Sequence, residues 1–112
     1  MKHNKLVRDR IPEIIAKYGE RPVTRILDDA RYKQELKRKL HEEVNEFDQS
    51  GSAKELTDIL EVVYALAASD GVNQEQLETM RRGKRKERGG FGRRIFLVET
   101  IPVEKDGKTE DE

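Results

Sequence analysis

The chain has no cysteine and no tryptophan, only three prolines, and few aromatic residues of any kind. Without cysteine there is no disulfide framework and no zinc-thiolate site. No apolar run approaches the roughly 18 residues that span a bilayer. Met1-Lys2-His3-Asn4-Lys5 leads into no apolar signal-peptide segment. Charge of one sign is also missing: 23 basic residues balance 23 acidic ones. That balance gives no general reason to bind nucleic acid, although charge can still be sorted by face. Apolar residues make up only 34% of the 112, and a short chain buries a smaller share of its surface than a long one. The expectation is a soluble, cytoplasmic protein whose core is completed by homo-oligomerisation, with a dimer favoured and no membrane contact.

What the chain has in abundance is helix. Residues 1–101 read as one mainly α domain, a helical bundle with one or two short strands near its ends. Ile11 to Tyr18 is the first helix, with Pro12 in its first turn and Gly19 just past its end. From about Asp29 to Gln49, Tyr32, Leu36, Leu40, Val44 and Phe47 recur at helical spacing behind the acidic cap Asp28-Asp29. Ser50-Gly51 ends that helix. Ser52-Ala53-Lys54-Glu55 has the pattern of a capping box and opens another that runs to Ser69. Asn73 with Gln76 starts a last helix, which turns basic at Arg81, Arg82, Lys84, Arg85, Lys86 and Arg88 before Gly89-Gly90 stops it. Arg94 to Ile101 and, less distinctly, Pro22 to Leu27 and the lead-in at Lys5 have strand character. Residues 102–112 are polar and read as a disordered tail.

The chemistry lies in where the carboxylates fall. With Leu36 at zero on a helical wheel, Leu40, Val44 and Phe47 fall at roughly 40°, 80° and 20°. Glu43 falls at about −20°, beside that stripe, Glu46 at about −80° and Glu42 near −120°. On the following helix Ile59, Leu60, Val62, Val63 and Leu66 cover an arc of roughly 160° around Leu56. Glu55 falls at about −100°, inside the arc, and Asp58 near −160°, at its edge. Burying an unpaired carboxylate costs roughly several kcal/mol. Each of these residues alone could be a solvated surface charge, and Glu55 could serve only as the capping partner of Ser52. Together they form two i, i+3 pairs, Glu43 with Glu46 and Glu55 with Asp58, on successive helices. Such pairs facing one another make a four-carboxylate cage whose repulsion a divalent cation relieves. Oxygen-only donors favour Mg²⁺ or Mn²⁺ over zinc or copper.

Glu42-Glu43-Val44-Asn45-Glu46 followed by Glu55-Leu56-Thr57-Asp58 resembles the EExxE…ExxD signature of the all-α nucleotide pyrophosphohydrolases, which include MazG, the dimeric dUTPases and phosphoribosyl-ATP pyrophosphohydrolase. The wider chain is similar to the MazG-like, phosphoribosyl-ATP pyrophosphohydrolase-like branch. Lys5-Leu6-Val7-Arg8-Asp9-Arg10-Ile11-Pro12 and Lys86-Glu87-Arg88-Gly89-Gly90-Phe91 also carry the likeness, which spans residues 5–99. The resemblance implies a Mg²⁺-dependent hydrolase that cleaves a nucleoside triphosphate between its α and β phosphates, giving the monophosphate and pyrophosphate. It implies Glu43, Glu46, Glu55 and Asp58 as metal ligands. Glu42 would be a further ligand or a group positioning the attacking water, so that Glu42 and Glu43 carry the catalysis. In one respect the chain departs from the pattern. Only eight residues separate Glu46 from Glu55, fewer than in typical MazG proteins, so the two helices must turn tightly.

Arg8, Lys84, Arg85 and Arg88 are candidates to hold the phosphates. A basic last turn also simply complements the helix dipole. Neither His3 nor His41 is a compelling ligand; His41 lies near 140° on the wheel, away from the apolar stripe, and is expected in solvent. The acidic motif does not separate a nucleotide house-cleaning enzyme from one that cleaves phosphoribosyl-ATP. A third possibility is a non-catalytic helical protein whose basic segment binds nucleic acid or an acidic partner.

Overall fold

The computed structural model describes residues 1–104. They form α1 (Ile11–Lys17), α2 (Asp29–Ser50), α3 (Ala53–Ser69) and α4 (Gln74–Arg88). Each of the three longer helices starts on a side-chain cap. Asp28 accepts from the Arg31 amide at 2.8 Å. The Ser52 hydroxyl accepts from Lys54 at 3.1 Å. Asn73 and Gln76 exchange side-chain and backbone bonds, both 2.8 Å long. These caps satisfy amides that have no partner inside the helix. Gly51 ends α2 in the left-handed conformation, at φ 65°. Its amide donates to the Phe47 carbonyl at 2.7 Å. A residue with a Cβ is strained there, and the tight link from α2 to α3 depends on that freedom.

The capping box expected at Ser52 does not form. Ser52 caps Lys54, the Glu55 amide donates to the Ser52 carbonyl at 3.0 Å, and the Glu55 side chain is left for other partners. The complete box is the one at Asn73 and Gln76.

Helices α2 and α3 pack as an antiparallel hairpin. The Lys33 ammonium near the start of α2 meets Asp70, just past the end of α3, at 2.5 Å. Helix α4 packs more lightly on α3. The buried apolar core is slight: Leu36 and Val62 are 3% and 8% exposed. On the same hairpin Val44, Leu56 and Leu60 remain well exposed. The chain is elongated, 76 × 32 × 21 Å, with a radius of gyration of 21.3 Å. A compact domain of about 100 residues has a radius near 13 Å.

The expected terminal strands are absent among the described residues. From Ile95 to Val103 the apolar side chains Ile95, Phe96, Leu97, Val98, Ile101 and Val103 are 73–87% exposed. The segment around Val23 and Ile26 is equally open, and no strand forms at Lys5 either. Strand character in a sequence needs a neighbouring edge to pair with, and the chain presents none to these segments. Of the tail expected over residues 102–112, residues 102–104 are exposed and outside any helix; 105–112 lie outside the described residues. No helix among the described residues is long and apolar enough to cross a membrane.

Candidate metal centre between α2 and α3

The tight turn at Gly51 and Ser52 lays the acidic stretch of α2 against the first turns of α3. One carboxylate oxygen each from Glu43, Glu55 and Asp58 then lies within 4.8 Å of the others. Glu43 is 7% exposed, whereas Glu55 and Asp58 are half-buried. Three of the four residues expected as metal ligands are thus brought together. Glu46, the fourth, is exposed and outside the group of three, one turn closer to the hairpin end. Its charge still reaches Glu55.

The Glu55 carboxyl is held above its ordinary pKa. Desolvation is the largest cause, followed by the hydrogen bond with Asp58 and then the negative charges of Glu46, Asp58 and Glu43. Like charges and partial burial both disfavour the ionised form. These are the conditions under which a bound cation would be most favourable.

Basic side chains surround the cluster. Lys39, one turn before Glu43 on α2, places its ammonium 3.3 Å from both Glu42 and Glu43. Lys5 lies 3.6 Å from Glu42, and Arg8 donates to Asp58 at 2.7 Å. Glu42 is therefore a flanking group, tied to two lysines and outside the three-carboxylate cluster. Arg8, expected at the phosphates, is bonded to a carboxylate of the cluster.

Lys84, Arg85 and Arg88 are not brought to the cluster. All three are exposed on the last turns of α4. Arg85 has its guanidinium against Gly90, where an added Cβ would lie 3.3 Å from Nη1. Arg88 is 3.8 Å from Glu87. His3 and His41 are exposed.

Two further charged residues belong to the hairpin interior, and the sequence did not single them out. Glu35 is buried, with Arg31 at 3.2 Å and Arg38 at 3.9 Å. Lys39 is largely covered. On the same wheel they fall at roughly −100° and −60°, on the side of Glu43 and away from Val44. The face of α2 that α3 covers is thus rotated from the centre of the apolar stripe, which is why Glu43 is buried and Val44 is not. The ion-pair spacings Arg31–Glu35 and Lys39–Glu43 were the available signal, since each is i, i+4.

Two open surface hollows lie elsewhere. One is lined by Gly71, Val72, Glu75, Gln76, Thr79 and Met80, the other by Asp29, Ala30, Tyr32, Lys33, Ala68 and Ser69. Both sit at the opposite end of the hairpin; the first carries a single carboxylate and the second one acidic and one basic side chain, so neither gathers several carboxylates as the cluster does. The candidate chemistry is therefore at Glu43, Glu55 and Asp58. The chain matches no family model, no curated protein and no solved structure.

Proposed function

We propose that the chain is a divalent-cation-dependent nucleotide pyrophosphohydrolase of the MazG-like, phosphoribosyl-ATP pyrophosphohydrolase-like kind. The observation that carries this reading is the convergence of Glu43, Glu55 and Asp58 from two helices within 4.8 Å, with Glu43 buried. The donor set consists of hard oxygens, which suits Mg²⁺ or Mn²⁺. Bound there, the cation would polarise a phosphate and lower the pKa of a water. Phosphoryl chemistry asks the protein mainly for position and charge. Glu43, Glu55 and Asp58 would hold the cation, with Glu46 adding negative charge at the rim. Glu42, fixed by Lys39 and Lys5, would orient the attacking water. Water would add at phosphorus as the bond between the α and β phosphates breaks, and pyrophosphate would leave with the bridging oxygen.

Nucleoside triphosphates are the substrate class, and removal of unwanted nucleotides in the cytoplasm is the corresponding role. Phosphoribosyl-ATP fits the same carboxylates. A homodimer is part of the proposal, because only two aliphatic side chains among the described residues are well buried, which leaves the hairpin short of a core. In Glu43→Gln and Asp58→Asn, turnover is expected to fall more than about 100-fold, since even groups that only support metal ligands cost 10–100-fold. Wild-type turnover in both variants would remove the assignment.

One observation favours a second reading. The run Arg81 to Arg88 is exposed throughout and lies outside the carboxylate site. A non-catalytic protein could use it to bind nucleic acid or an acidic partner. That binding would weaken steeply as salt is raised and would survive Glu43→Gln unchanged.

A further inference from the structure

The segment ahead of α1 is bonded to the acidic groups of two helices. Lys5 lies 3.6 Å from Glu42 on α2, and Arg8 donates to Asp58 on α3 at 2.7 Å, across 50 positions of sequence. Beyond these pairs the segment is held by the Ile11 amide, which donates to the Arg8 carbonyl at 3.0 Å, and by the half-buried Leu6; residues 1–10 contain no regular element, and α1 has no buried residue. Both basic side chains are about half exposed. Ion pairs exposed to that degree are weak and exchangeable.

The electrostatic task these side chains perform is the one a divalent cation would perform. They neutralise carboxylates that repel one another. A guanidinium on an Asp58 oxygen competes with a metal for the same negative charge. Arg8 also has the planar fork that suits phosphate, and a released Arg8 would stand beside the place where a phosphate chain must lie.

We propose that residues 5–8 are a cationic latch on the carboxylate cluster, which competes with divalent cation for Asp58 and, once exchanged, delivers Arg8 to the phosphates of the substrate. The latch rests on the metal-dependent reading above. It assigns Arg8 two successive partners, so a single substitution should move two affinities in opposite directions.

Calorimetric titration tests this on the full-length chain. Mn²⁺ alone is expected to bind Arg8→Gln about 2–5-fold more tightly than wild type, the range an exposed competing ion pair can contribute. Pyrophosphate in saturating Mg²⁺ is expected to bind the same variant about 10-fold more weakly, the effect of losing a charge-assisted hydrogen bond. Arg8→Lys should lie between the two on both titrations. If Arg8 only braces Asp58, both affinities fall together, and the latch is wrong. Unchanged affinities also overturn it. A wild-type chain with no saturable Mn²⁺ site sensitive to Glu43→Gln removes the metal reading itself, a result distinct from intact Mn²⁺ binding that ignores Arg8. Wild-type protein supplies a second measure: Mn²⁺ should speed tryptic cleavage after Arg8, and should not do so in Glu43→Gln. Equal acceleration in both, or none in wild type, contradicts the latch.

Discussion

Glu43 is a carboxylate at a position where leucine would pack at lower cost. It is 7% exposed, and among the described residues its charge is compensated by Lys39 at 3.3 Å. Buried ion pairs are weak evidence of stability, and apolar replacement is often neutral or better. Glu43→Leu is therefore expected to melt no lower than wild type in EDTA while losing all stabilisation by Mg²⁺. Wild type should gain about 2.7 kcal/mol when free Mg²⁺ is 100 times its dissociation constant. Thermal melts of the two proteins, with metal and with EDTA, check both statements. Glu55 supplies a pH test. Its folded-state pKa is raised above 4.5, mainly by desolvation and then by its carboxylate neighbours. Folded protein therefore holds the proton more tightly than unfolded protein does. The associated stability is complete below the unfolded pKa and is lost as pH rises through the folded one. In EDTA, urea midpoints should decline from pH 4.5 upward, and Glu55→Gln should flatten that decline. Saturating Mg²⁺ should oppose it, because the cation favours the ionised form.

At the scale of elements, the three longer helices were legible because their ends are written in local chemistry. Asp28, Asn73 with Gln76, and Gly51 act within a few residues of themselves, so no tertiary information was needed. Asn73→Ala is expected to cost about 1 kcal/mol by loss of the cap. Gly51→Ala should cost about 1–2 kcal/mol for the left-handed conformation alone, since an added Cβ meets nothing within 4 Å. Denaturant midpoints measure both. Where two partners compete for one side chain, sequence pattern was not enough. Ser52 to Glu55 carries the capping-box letters, yet Glu55 turns to Asp58 and Glu43. The strand character of residues 94–101 describes a preference that only a neighbouring edge could satisfy. The site was legible to a similar depth. Paired i, i+3 carboxylates on facing helices brought Glu43, Glu55 and Asp58 together. The wheel, centred on the apolar stripe, could not report the rotation that buries Glu35 and covers most of Lys39, nor that Glu46, which falls between them on the wheel, is exposed one turn nearer the hairpin end. Nor could it show that α4 packs only lightly on α3 and that Lys84, Arg85 and Arg88 stay exposed, with no ion pair to the cluster among the described residues.

At the scale of the molecule, the dominant fact is an unfinished interior. Ordering a residue costs about 1–2 kcal/mol of backbone entropy, and among the described residues Leu36 and Val62 are the two aliphatic side chains that are well buried. The open aliphatic residues Leu56 and Leu60, together with the extended apolar stretch from Ile95 to Val103, supply the area a second copy would cover. Light scattering should give twice the mass of one chain, and the melting temperature should rise with protein concentration. Leu60→Glu should shift that mass toward one chain. A wild-type monomer with a concentration-independent melt would contradict the dimer and leave the carboxylate site to be judged by its own chemistry. That chemistry is tested most directly by pyrophosphate release from a panel of canonical and modified nucleoside triphosphates and phosphoribosyl-ATP, with Mg²⁺ and with EDTA. The predicted result is pyrophosphate and the matching monophosphate in equal amounts, with Mg²⁺ only and not from Glu43→Gln. Release that persists in EDTA, or in Glu43→Gln, would contradict a metal-dependent site at Glu43, Glu55 and Asp58.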